Sequence, residues 1–222
     1  MGDLWGDGEL DEKPVSEEIV AAFALGRYAI TNTQFLSFLN AGERAAARRG
    51  IGFNRNNPLY KEGGVFFCKA GYENYPVTYV SWVAATNYCE WLSLQTGKHF
   101  YLPTEVQWQY ASTGGRDLKW SLGDVFDAAN YICAQDGPGP ADDGEPTVWG
   151  LYNMTGNVFE WCHDEYRFSL ADEAQHNMLT SDRVIKGGAF ILADPPNFRN
   201  AKRFSCHQDS CLSSVGFRVA AG

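Results

Sequence analysis

A chain of 222 residues that is 45% hydrophobic can bury a substantial core without help from metals or disulfides. Its net charge of −9 and pI near 4.9 argue against a nucleic-acid-binding role, which draws affinity from clustered Lys and Arg. The longest apolar stretches, Ile19 to Leu25 and Gly187 to Ala193, fall well short of the roughly 20 residues that cross a bilayer, so no membrane span is expected.

The acidic, glycine-rich N-terminus lacks the apolar centre of a secretory signal, and the composition leaves the compartment open. The first helix is predicted after Thr31, where Thr31-x-x-Gln34 forms a capping box and Phe35, Leu36, Phe38 and Leu39 supply an apolar face; its end is expected near Arg49 or Gly50. A second helix follows Ser81, with Val83, Ala84, Tyr88, Trp91 and Leu92 at helical spacing and Gly97 as its stop. Thr104-x-x-Gln107 opens a third, short helix that carries Trp108 and Tyr110 to Gly114.

From Gly123 to Gly150 the chain reads as loop. Strand-like runs are confined to Val65–Cys68, Arg183–Ile185 and Val215–Ala220. Regular elements are short and widely separated, which points to an α+β fold with long irregular connections, and the absence of a linker or repeat points to a single domain over 1–222. The six cysteines contain no C-x-x-C knuckle, and the expectation is buried free thiols, with Cys206-x4-Cys211 as a surface-loop pair. The four histidines show no metal-binding grouping.

Six segments in order carry a resemblance: Tyr28-Ala-Ile-Thr-Asn32, Pro76-Val-Thr-Tyr-Val-Ser-Trp82, Tyr101-Leu-Pro-Thr-Glu-Val-Gln-Trp108, Gly150-Leu-Tyr-Asn-Met-Thr-Gly-Asn-Val-Phe-Glu-Trp161, Arg183-Val-Ile-Lys-Gly-Gly188 and Val215-Gly-Phe-Arg218. Together they resemble the formylglycine-generating-enzyme (sulfatase-modifying factor) family, and the resemblance implies its C-type-lectin-like fold. It also implies a structural calcium ion held by the side chains of Asn153 and Glu160 and the carbonyls of Gly156 and Val158, oxygen donors of the kind calcium takes.

The family's enzymes carry a copper(I)-binding cysteine pair just past the Gly-Gly, thiolates suiting that soft ion. Here one alignment places Leu192 and Asn197 at the pair and the other Phe190 and Pro195, so no copper is expected and the inherited oxidase activity loses its essential residues. An oxidase working instead through Cys206 and Cys211, with His207 lowering a thiol pKa, stands as the alternative.

On the same scaffold, the chain also resembles the variable proteins of diversity-generating retroelements, whose segment from the Gly-Gly to the Gly-Phe-Arg is the ligand-binding face. That places a variable segment at about 187–218. Framework pieces Gly187-Gly188, Phe198-Arg199, Ala201-Lys-Arg203 and Val215–Arg218 enclose residues of mixed chemistry. Ten of the eleven residues of Phe204–Ser214 are types that adenine-directed mutation of asparagine codons can produce. The implied ligand contacts are Ile191, Leu192, Ala193, Asp194, Asn197, Phe204, Ser205, Cys206, His207, Asp209, Ser210, Cys211, Leu212, Ser213 and Ser214, and the implied partner is a protein or other macromolecule.

Overall fold

The computed structural model describes residues 1–41, 50–170 and 181–222. Helix α1 spans Asn32–Asn40, capped as expected by Thr31, whose side chain accepts from the Gln34 amide. It is shorter than its sequence pattern suggested. Asn40 is docked on the neighbouring hairpin, its Nδ2 donating to the Phe66 carbonyl at 2.9 Å and its Oδ1 accepting the Phe66 amide at 3.0 Å, and Ala41 ends the helix there. The expected continuation towards Arg49 lies outside the described residues. Helices α2 (Trp82–Thr96) and α3 (Glu105–Thr113) start at Ser81 and Thr104 and stop at left-handed Gly97 and Gly114.

Strands are more numerous than alternation in the sequence reveals. Those described are β1 (Ala24–Leu25), β2 (Leu59–Glu62), β3 (Val65–Cys68), β4 (Phe100–Tyr101), β5 (Phe159–Glu165), β6 (Asp182–Lys186), β7 (Phe204–His207), β8 (Val215–Gly216) and β9 (Ala220–Ala221). They form a sheet ordered β1-β9-β4, a β2-β3 hairpin and a sheet ordered β7-β6-β5-β8 in which β5 and β8 run parallel. The run Val215–Ala220, expected as one strand, is split between two sheets. Between its halves Phe217 and Arg218 are fully buried, and Arg218 is held by Glu160, so the chain turns inward instead of extending along one sheet.

The main core gathers α1, α2 and the β5 sheet around Phe35, Phe38, Tyr88, Trp161 and Phe217. Ring centroids of Phe35, Tyr88 and Phe217 lie 5.5 to 6.1 Å apart, in stacked and edge-on arrangements that suit aromatic packing. A second cluster sits under α3 around Trp108, Met154, Cys162 and Val184, and a third joins Trp120, Tyr131 and Phe198. No helix among the described residues is long and apolar enough to cross a membrane.

Candidate functional site: the C-terminal face

The segment that follows β6 begins at Gly187 and Gly188, both with positive φ. A Cβ on Gly188 would strike the Phe198 ring, so the tight return from the strand into the core needs glycine there. Beyond it, the framework residues are buried and tied to distant parts of the chain. Arg199 makes a paired hydrogen bond to the Glu12 carboxylate at 2.6 and 2.8 Å, and Asn200 accepts from Ser112 Oγ at 2.6 Å. Arg203 Nε donates to Glu105 Oε1 at 2.7 Å and its Nη1 to the Asp11 carbonyl at 2.6 Å, while Lys186 Nζ reaches the Ala201 carbonyl at 3.2 Å.

The acidic partners hold the two arginines in their charged form. Burial opposes the charge of Arg199, but its hydrogen bond to Glu12 and the charges of Glu12, Asp7 and Asp3 outweigh it and raise its pKa; Glu105 does the same for Arg203. For Lys186 burial wins over Glu105 and lowers the ammonium pKa.

The residues between these anchors behave differently. Ile191, Ala193 and Asp194 are exposed, Leu192 and Asn197 half-buried. Phe204 to His207, which showed no period in the sequence, is the edge strand β7, paired with β6. Its alternation puts Ser205 and His207 in solvent, while Phe204 leans edge-on against Phe159 at 4.9 Å. Asp209, Leu212 and Ser213 are exposed, and Ser210 and Cys211 half-buried. Two of the expected contact residues are buried: Cys206 points into the core as an inward residue of β7, and Ser214 lies where its carbonyl accepts the Phe159 amide.

Both exposed stretches are pinned at one end to the short segment 157–159. The Phe190 amide donates to the Asn157 carbonyl at 2.8 Å and the Phe159 amide to the Ser214 carbonyl at 2.8 Å. The loop after β7 is further held by the Trp82 amide on the Gln208 carbonyl and the Tyr79 amide on the Leu212 carbonyl. Tyr79, at φ 58, was not singled out from the sequence; it lies some 130 positions before the loop it supports, and no local pattern announces such a contact.

The cysteine pair is a strand residue and a loop residue, not two thiols of one surface loop. Burial pushes both thiols up, that of Cys206 with Asp182 adding to it and that of Cys211 with Asp209 adding to it, so neither is poised as a thiolate. Iodoacetamide at about pH 8 is expected to label both far more slowly in the native protein than in urea; equal rates would contradict this burial.

Of the resemblance-implied calcium ligands, the side chains of Asn153 and Glu160 both have hydrogen-bond partners within the protein. Asn153 adopts a left-handed turn and its Nδ2 donates to the Ala141 carbonyl at 3.0 Å. Glu160 is committed elsewhere: Arg218 binds both its oxygens at 2.6 and 2.7 Å, and Trp108 Nε1 donates to Oε2 at 2.7 Å. Its carboxylate is therefore a buried ion-pair partner of Arg218.

Sequence reasoning also missed a cavity of about 380 Å³ lined by Glu105, His163, Asp164, Arg183 and Arg203. Its charged groups are already in use. Asp164 caps α3 by accepting the Glu105 amide at 2.7 Å, and Arg183 lies over the Trp82 ring at 4.0 Å.

Comparison with known proteins places this geometry. Residues 1–222 match the sulfatase-modifying factor enzyme 1-like domain. A serine/threonine-protein kinase, pkn1, of Chlamydia caviae is 31% identical over 97% of this chain, which spans only 35% of that protein. The formylglycine-generating enzyme of Streptomyces coelicolor is 29% identical over 99% of this chain and 85% of its own. Among solved structures, PvdO from Pseudomonas aeruginosa superposes with a TM-score of 0.79 at 21% identity, covering 100% of this chain and 89% of that one. Treponema denticola variable protein 1 does so at 0.68 and 20%, covering 90% and 84%. With its motifs in order, its α+β architecture and a family match over its whole length, the chain belongs to the sulfatase-modifying factor enzyme 1-like, or formylglycine-generating-enzyme, family.

Proposed function

We propose that this chain is a non-catalytic recognition domain whose C-terminal segment is varied by a diversity-generating retroelement and contacts a protein or other macromolecule. The observation that carries the reading is the division of labour within 187–218. Arg199, Arg203 and Arg218 are buried in ion pairs, whereas Ile191, Ala193, Asp194, Ser205, His207, Asp209, Leu212 and Ser213 stand in solvent. Such a surface tolerates change, because exposed side chains away from caps, cores and networks contribute little to stability. Small polar groups around a few apolar ones are also what adaptable binding loops use.

The fold shared with Treponema denticola variable protein 1 supports this reading, as does the absence of a thiol at positions 190, 192, 195 and 197. The raised pKa values of Cys206 and Cys211 weigh against an oxidase working through them. Alanine placed singly at Ile191, Ser205, Asp209 or Ser213 is expected to shift unfolding free energy by no more than about 0.5 kcal/mol in urea titrations.

The decisive experiment is sequencing the DNA beside the gene. The proposal expects a near-copy of the codons for residues 187–218, with adenines at the sites of difference, next to a reverse-transcriptase gene. No copy, or differences falling on the codons of Arg199, Arg203 and Arg218, would overturn diversification.

A further inference from the structure

The loop 208–212 does not stand alone on its side of the molecule. Cys211 packs so closely on Gly52 that a Cβ there would sit 2.9 Å from the Cys211 Cβ, and the Gly52 amide donates to the Tyr79 carbonyl at 2.8 Å. Through Tyr79, whose own amide holds the Leu212 carbonyl, residues 50–52 are fastened beside the exposed end of the segment. The next residue, Phe53, is 44% exposed, and its ring stacks on the buried Phe66 with centroids 5.5 Å apart. Lys61 Nζ lies 5.3 Å from the same Phe66 ring.

This is a half-exposed aromatic group stacked on a buried ring, one residue along from the Gly52 contact with Cys211, as the exposed Leu212 is on the other side of that contact. A pre-ordered aromatic loses little side-chain freedom when a partner covers it, which is why such residues dominate binding energy at interfaces. The stretch of chain that carries it is also less acidic than the protein as a whole. Residues 50–72 contain Arg55, Lys61 and Lys69 against Glu62 alone, a local balance of +2 in a protein of net −9. Both Arg55 and Lys61 are exposed.

We infer that Phe53 is a fixed aromatic anchor of the recognition face, and that the face fits a protein segment presenting an apolar side chain flanked by carboxylates. This rests on the recognition reading above and extends it, since the anchor lies outside the varied segment and would serve every variant alike. The apolar group packs on Phe53 and Leu212, and its acidic neighbours meet Arg55 and Lys61.

The test uses a random peptide library displayed on phage and selected on the wild-type chain. Affinities of the tightest synthetic peptides are then measured against Phe53→Ala, Arg55→Glu and Leu212→Ala, with thermal melts to confirm folding. Selected peptides should be acidic around an apolar residue, and Phe53→Ala should weaken them by about tenfold or more. Arg55→Glu, at an exposed position, should weaken them as well and keeps the question open to decision if Phe53→Ala unfolds. Peptides that lose affinity with Leu212→Ala but not with Phe53→Ala or Arg55→Glu overturn the anchor and leave the recognition reading standing. Peptides insensitive to all three, or no peptide at all, overturn both.

Discussion

Replacing Arg218 by alanine is expected to cost about 3–5 kcal/mol of folding stability, read from urea unfolding followed by tryptophan fluorescence. The guanidinium is fully buried and does two jobs. It neutralises Glu160 through two hydrogen bonds at 2.6 and 2.7 Å, and it satisfies the carbonyls of Gly26 and Tyr152 at 2.9 and 2.8 Å. Truncation leaves Glu160 as an uncompensated charge beside Trp108 and orphans those carbonyls. The penalty is for the broken pair, not a measure of what the pair contributes. Arg218→Met combined with Glu160→Gln should therefore recover part of the loss, because removing both charges removes the desolvation cost of each. Arg218→Lys should not match wild type, since a single ammonium cannot reproduce the fork on two carboxylate oxygens. A single alanine variant within about 1 kcal/mol of wild type would show that the pair is solvated in a way the buried geometry does not allow.

Trp161→Ala is expected to destabilise by about 3–5 kcal/mol, the range for emptying a large buried aromatic site. Trp161 is fully buried on β5 and its Nε1 donates to the Val80 carbonyl at 3.0 Å, so the same substitution also frees the segment that carries Tyr79 and the start of α2. That segment holds the loop 208–212 through the Gln208 and Leu212 carbonyls. The loss should consequently appear twice, as a lower urea midpoint and as faster amide exchange in 208–212 than in α2. Trp161→Phe keeps much of the volume and drops the hydrogen bond, and it should fall between the two. An unchanged midpoint in Trp161→Ala would mean that the core around β5 closes over the gap.

Much of this architecture is legible from local chemistry. The capping boxes at Thr31 and Thr104 and the stop at Gly97 mark helix ends because each satisfies orphan backbone groups within four residues. The strands of the β5 sheet are less legible because their partners are distant and their faces are not simply in or out. Phe159, Glu160, Trp161 and Cys162 are all buried, so β5 shows no alternation, and the two-residue strands β1, β4, β8 and β9 are too short to show any.

The site divides in the same way. Glycines that permit close packing and the framework arginines are visible as motif pieces, but which acid each arginine meets is not, since Glu12 and Arg199 are 187 positions apart. Cys206 illustrates the limit: the residue type fits an exposed varied loop, and only pairing of β7 with β6 turns it inward. Glu160 fits a calcium ligand by motif, and only the fold shows Arg218 on its carboxylate.

The division between fixed frame and free filling is tested most directly by one library measurement. Ile191, Ala193, Asp194, Ser205, His207, Asp209, Leu212 and Ser213 are randomised together, Arg199, Arg203 and Arg218 in a second library, and the protease-resistant fraction of each displayed population is counted. Most members of the first library should stay folded and nearly all of the second should not. Comparable loss of folded members in both would contradict that division.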